Sequence, residues 1–185
     1  MTDLLTVGHG TAGRKELAAL IHGADGEHVV DIRRFPGSRR NPDLMSDAMA
    51  QWLPASGLGY RWEPRLGGRR RLPKGVASPD TWWRVESFRA YAAYMRTEEF
   101  GDALTELLAG LDAARTLIMC SESLWWRCHR RMVSDAAALL HGVDVHHLAH
   151  DGTLAPHRPS AGARVVAGQL VYVGGEGSRA PDETG

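Results

Sequence analysis

Between positions 116 and 131 the chain reads TLIMCSESLWWRCHRR, which gathers two thiols, a carboxylate, an imidazole and three arginines into the twelve residues from 120 to 131. Each of these side chains has a use. A thiol near a helix N-terminus and close to cations ionises more readily, and the thiolate is the nucleophilic form, so Cys128, beside Arg127, Arg130 and Arg131, is a candidate nucleophile. Glu122 follows an apolar run, where a carboxylate must be paired or solvated; it either acts as acid, base or nucleophile, or holds an arginine such as Arg130 in place. His129 and Arg130 suit phosphate or carboxylate at a helix N-terminus. The blander alternatives are a buried structural Cys128, which shares a helical face with Met132, Ala136 and Leu139, and a structural Cys120 at the end of a strand.

Positioning these groups requires a strand and a helix on either side of the loop. Residues 116–119 have the length and apolar character of a buried strand, and residues 128–140 have helical spacing. The same plan recurs upstream. Residues 4–7 read as a strand, followed by Gly8-His9-Gly10-Thr11 and a helix carrying Leu17, Leu20 and Ile21, with Thr11 able to cap it. Residues 29–32 read as a second strand, with Asp31, Arg33 and Arg34 at its end; Asn41, Pro42 and Asp43 then start a helix that Pro54 stops. Residues 60–64 form a third short strand and residues 143–148 a fifth, ending near His146, His147 and His150. Residues 163–173 offer a further edge strand. Alternation of this kind implies one α/β domain over residues 1–173, Rossmann-like, with a mostly parallel sheet of about five strands and helices on both faces. The Gly- and acid-rich residues 174–185 read as a disordered tail.

Open α/β sheets bind ligands beyond strand C-termini. That rule puts His9, Asp31, Glu63, Cys120, Glu122 and Cys128 in one pocket and makes His9, Asp31 and Cys120 further candidates for catalysis.

Equal numbers of basic (22) and acidic (22) residues exclude a global attraction for polyanions. Residues 33–74 nevertheless hold ten Lys/Arg against three Asp/Glu, so a local anion-binding face is expected there. Arg33, Arg39, Arg69 and Arg70 are its candidate phosphate ligands, and residues 67–79 read as a mobile basic loop. Six tryptophans, two pairs of them adjacent, suggest rings beside arginines for stacking on bases, Trp125 above all, and each adjacent pair should leave one ring outside the core. No apolar run is long enough to span a membrane. The first residues carry no basic-then-apolar leader, and two cysteines beside His and Glu fit free thiols in the cytoplasm. Seven residues separate the thiols, which is not a zinc-knuckle spacing, so no cofactor is required; zinc or iron held by Cys120, Cys128, His129 and a late histidine is the lesser alternative.

Taken together, TVGHG, VVDIRRFPGSRRNPDL, YRWEPRLGGRRR, ESFRAYAAYMRTEEF and MCSESLWWRCHRRMVSDAAALLHGVDVHHL resemble the domain-of-unknown-function family 488, in family order over residues 4–148. The resemblance marks His9, Asp31, Arg33, residues 66–70, and Cys120, Glu122, Cys128, His129 and Arg130. Members often carry an Asp-Pro type loop where this chain has Ser123-Leu124-Trp125-Trp126. The resemblance implies the fold and the site more than a reaction. The leading expectation is an enzyme that hydrolyses or transfers a group on a phosphate-bearing substrate, a nucleotide or a nucleic-acid base or end, using Glu122. The alternatives are a DNA- or RNA-binding module without chemistry, and a thiol-redox or metal protein using Cys120 and Cys128.

Overall fold

The computed structural model describes residues 3–37, 41–72 and 74–174. Arg39, Pro73 and residues 175–185 lie outside them, so the candidate phosphate ligand Arg39 and nearly all of the expected tail cannot be placed. In chain order the elements are β1 (Asp3–Gly8), α1 (Arg14–Gly23), β2 (His28–Asp31), α2 (Ser46–Ala55), β3 (Gly59–Trp62), α3 (Glu86–Tyr94), α4 (Glu98–Ala109), β4 (Thr116–Cys120), α5 (Arg130–His141), β5 (Asp144–Leu148), β6 (Leu154–Pro156), β7 (Ala163–Val166) and β8 (Gln169–Tyr172). No helix among the described residues is long and apolar enough to cross a membrane.

The main sheet has six strands in the order β3-β2-β4-β1-β5-β6. The first five strands are parallel to one another, and β6 is an antiparallel edge. Because β4 inserts between β1 and β2, three strand ends meet: Gly8 pairs with Cys120, and Asp31 pairs with both Met119 and Trp62. The ladder continues past the strands, with His9 N–H donating to Cys120 O at 2.9 Å and Ile32 N–H to Met119 O at 3.0 Å.

Alternation along each strand divides the core. Leu5, Val7, Val29, Leu117 and Met119 pack against Leu17, Ile21, Met49, Trp52 and Leu53 of α1 and α2. Leu4, Val30, Ile118, Cys120 and Val145 pack on the other face against α3, α4 and α5. Local signals explain the helix ends. Thr97 caps α4 by accepting from Phe100 N–H, and Gly142 closes α5 at φ 66°, a backbone that favours glycine.

Several expectations need correction. The N-cap of α1 is Gly13, not Thr11. Asn41 and Pro42 begin a 3₁₀ turn, Pro42–Leu44, and α2 starts afterwards and carries Pro54 in its last turn. Residues 163–173 form no edge of the main sheet. They fold into the separate β7–β8 hairpin, whose Ala167 and Gly168 both have positive φ (49° and 75°), the geometry of a tight primed turn. Asp80 docks that hairpin by accepting from Tyr172 N–H at 3.1 Å while it pairs with Arg96 at 2.8 Å. Trp82 and Trp83 are both in the core, against the expected division of an adjacent pair, because Gly162 lies against one ring while Phe88 and Tyr172 lie 4.7 and 5.2 Å from the other. In the second pair Trp126 is exposed.

Candidate active site

A cavity of about 540 Å³ opens at the C-terminal ends of β1, β2 and β4. His9, Cys128 and His129 line it together with Glu122, and Arg33, Arg34, Arg69 and Arg127 line the same space. Three other expected members lie beneath or beside it. Cys120 is 1% exposed under Cys128. Asp31 is fully buried, and Glu63 is turned to Arg61 and Arg65 at 3.0 and 2.7 Å.

The loop after β4 is pressed against β1. A Cβ on Gly8 would stand 1.8 Å from Glu122 O, so only glycine allows this approach. From the helix side Arg130 holds the same loop: its Nη2 donates to Glu122 O at 3.1 Å and Ser123 O at 3.2 Å. Trp125 lies flat on the His147 ring, 4.0 Å between centroids and 7° between planes. It anchors the loop and does not line the cavity.

Under Trp125 runs a buried line of hydrogen bonds that ends on a carboxylate. Asp135 only accepts, so His157 Nε2–H donates to it at 2.9 Å. His157 Nδ1 and His147 Nε2 are hydrogen-bonded at 2.9 Å, and His147 Nδ1 and the Thr6 hydroxyl at 2.7 Å. Burial lowers the His147 pKa to about 2, with His157 and Arg130 adding to the effect. Asp135 also accepts from Ser160 N–H and Tyr172 O–H. Sequence reading missed this line, since the bonded pair Thr6 and His147 is 141 residues apart.

The two sulfurs are 2.8 Å apart and both are free thiols. Their environments differ. Burial pushes the Cys120 pKa well up, and the hydrogen bond to Cys128 adds to the rise. Burial also opposes ionisation of Cys128, but the Cys120 thiol, the Arg130 guanidinium and the Arg130 backbone N–H outweigh it, and its pKa is lowered. Cys128 does not sit inside the helix: it has an extended backbone between a 3₁₀ turn, Trp125–Arg127, and α5, and the helix begins two residues later at Arg130.

Arg130 is 1% exposed, and its Nε and Nη1 have no partner among the described residues. None of the ion pairs there includes it. A buried cation without a counter-charge is costly. Cys128 as thiolate supplies that charge, the same pairing that helps to lower its pKa. Arg130 therefore faces inward as a clamp and does not line the cavity as an anion ligand.

The remaining groups have fixed protons. His9 Nδ1 faces Gly10 O at 3.0 Å, so it carries the hydrogen and leaves Nε2 to accept from Arg33 Nη1 at 3.2 Å. Burial, with Arg33 second, lowers its pKa. His129 Nε2 faces Ile32 O at 3.3 Å and carries its hydrogen there, and Nδ1 lies 3.4 Å from Cys128 Sγ; burial lowers its pKa as well. Arg33 is committed to Asp31 through Nε and Nη2 at 2.8 and 2.6 Å.

At the mouth, Arg69 adopts φ 58°, uncommon for a side chain other than glycine. Neither its guanidinium nor the Glu122 carboxylate makes a hydrogen bond or ion pair among the described residues. Arg70 is turned away, donating to Gly67 O and Pro64 O and lying 3.5 Å over the Tyr94 ring. It lines a second cavity of about 810 Å³, which shares Arg34, Phe35 and Arg69 with the first. No three His, Cys, Asp or Glu among the described residues are grouped to hold a metal ion. The late histidines considered as ligands are engaged elsewhere, His147 as above and His150 on Gly8 O at 2.7 Å.

No curated protein and no solved structure matches the chain. A sequence profile does: it covers residues 14–137, from α1 into α5, and so includes Asp31, Arg33, Gly68, Cys120, Glu122, Cys128, His129 and Arg130 but not His9. The residues that build the cavity are thus largely those the profile spans, and the chain belongs to the family Domain of unknown function DUF488.

Proposed function

We propose that the protein is an enzyme that hydrolyses or transfers a group on a phosphate-bearing substrate, a nucleotide or a nucleic-acid base or end, with the Cys128 thiolate as the attacking atom. The observation that carries this reading is the position of Cys128: it lines a cavity edged by arginines, touches Cys120 behind it, and lies by a buried arginine that lacks a carboxylate partner among the described residues. Arg69, whose guanidinium has no partner among the described residues, is the cation best suited to the substrate's phosphate. Glu122, exposed on the rim and unpaired among the described residues, is suited to pass a proton to the leaving group or from an attacking water. Carbon–oxygen, carbon–nitrogen and phosphorus–oxygen bonds are all open to a thiolate.

The second cavity favours a substrate with more than one charged group. Arg70, Arg71 and Tyr94 continue the wall that begins at Arg34 and Arg69, and Phe35, 61% exposed and shared by both cavities, offers a face for a base.

Thermal shift with inorganic phosphate, nucleosides, nucleoside mono- and diphosphates and short single-stranded DNA tests the proposal, followed by turnover assays on whatever binds. Phosphate-bearing ligands should raise the melting temperature of the wild type and of Cys128→Ser, and only the wild type should turn them over. If Cys128→Ser kept full turnover, the thiolate's role would fall. A non-catalytic nucleic-acid module predicts salt-dependent binding with no turnover by either protein.

A further inference from the structure

The same two sulfurs allow a second chemistry. We propose that a hydroperoxide reversibly oxidises Cys128 and that Cys120 resolves the product as an intramolecular disulfide, which switches the site off. This rests on the thiolate of the proposed function, but not on the phosphate-bearing substrate.

Three features of the pair support it. Cys128, 8% exposed, lines the cavity, whereas Cys120 lies behind it at 1%, so an oxidant that enters the cavity reaches Cys128 first. The sulfurs stand 2.8 Å apart; a disulfide needs about 2.05 Å, so closing the bond takes less than about 1 Å of travel. Electrostatics divides the roles in the same sense, because burial keeps Cys120 protonated while its neighbours favour the Cys128 thiolate. A low-pKa reachable sulfur with a second thiol in contact is the arrangement that redox-sensing cysteines use.

The chemistry balances in two steps. The Cys128 thiolate attacks the peroxide: a sulfur–oxygen bond forms, the oxygen–oxygen bond breaks, and the departing alkoxide or hydroxide takes a proton from water in the cavity. Cys128 is then a sulfenic acid, oxidised by two electrons, and the peroxide has become an alcohol or water. Cys120 attacks that sulfur: the sulfur–sulfur bond forms, the sulfur–oxygen bond breaks, and the leaving hydroxide departs as water with the proton of Cys120. A dithiol reductant reverses the outcome by exchange. Further oxidation of Cys128 to the sulfinic level, which is not reversed this way, is prevented because the resolving thiol is already in contact.

The test treats the folded full chain with hydrogen peroxide, then unfolds it in urea so that both cysteines are open, alkylates it with iodoacetamide and weighs it intact, with and without dithiothreitol. The wild type should lose two hydrogens and both alkylation sites, and dithiothreitol should restore them. Cys120→Ser should instead gain one oxygen on Cys128, trapped by dimedone, and Cys128→Ser should gain none at the same peroxide concentration. Wild type that runs to a sulfinic acid without forming the disulfide, or whose two thiols stay alkylatable, overturns the proposal and needs no variant to fold. Protein that forms the disulfide yet binds no phosphate-bearing ligand retains this inference and sinks the functional reading. Protein that turns over such a substrate without ever forming the disulfide does the opposite.

Discussion

The Asp31 carboxylate grips Arg33 from two sides, Nε at 2.8 Å and Nη2 at 2.6 Å, and Arg33 in turn presents Nη1 to His9 Nε2 at 3.2 Å. Tyr60 O–H donates to the same carboxylate at 3.0 Å. Asp31 is thus the buried base of one cavity wall, not a group that meets the ligand. Removing one partner of a buried pair leaves the other uncompensated, which costs about 3–5 kcal/mol. Asp31→Asn should therefore unfold at markedly lower urea, and Arg33→Met should raise the His9 pKa by NMR titration. Because burial is the larger cause of its lowering, His9 should still titrate below the ordinary histidine.

Gly8 and Glu122 make a backbone contact that admits no side chain. Gly8→Ala must push the loop at residues 121–123 away from β1, an overpacking that costs about 1–3 kcal/mol. A lowered melting temperature with slower Cys128 alkylation is expected. An alanine variant as stable and as reactive as wild type would mean that the loop is not held by this contact.

The strand ends were legible because strands in a parallel sheet are short apolar runs, and those at His9, Asp31 and Cys120 are bounded by glycine, charge or serine. Side-chain direction was not. Arg130 reads as an anion ligand in a helix's first turn; it faces inward because the 121–126 loop folds over it, and that fold depends on Gly8, 114 residues upstream (122 − 8). Trp125 reads as a stacking ring for a base, but β6 leads to His157 and completes a histidine line on which the ring lies. The β7–β8 hairpin had a local signal in Ala167-Gly168 between apolar residues, which the run's length obscured.

Acid should weaken the fold through His147. Its folded pKa lies at about 2, whereas an unfolded histidine binds a proton near 6.5. The unfolded state therefore takes up a proton that the folded state refuses, so stability present above about pH 6.5 is lost as pH falls toward 2, by up to roughly 1.4 kcal/mol per pH unit. His147→Gln should flatten the slope of unfolding free energy between about pH 6.5 and 5 by one group's share. His9 and His129, lowered in the same direction, should keep some slope in place. An unchanged slope would mean that His147 is protonated in the folded protein.

Arg130 has two jobs that substitution separates. Arg130→Met frees the carbonyls of Glu122 and Ser123, at a cost of about 1–3 kcal/mol for buried groups left unpaired, and removes the charge that favours the Cys128 thiolate. Alkylation of Cys128 at neutral pH should slow. Arg130→Lys keeps the charge and should recover much of the rate; equal rates in all three proteins would leave Arg130 a clamp alone.

The account depends most on Cys128 being an accessible thiolate, and the rate of its alkylation by iodoacetamide across pH, followed by intact mass and peptide mapping of the native protein, tests this most directly. One site should react, at Cys128, with a midpoint below the roughly 8.5 of an ordinary thiol, and Cys120 should react only after unfolding. Reaction at Cys128 only in the unfolded chain, or with a midpoint at or above that of an ordinary thiol, would contradict the account.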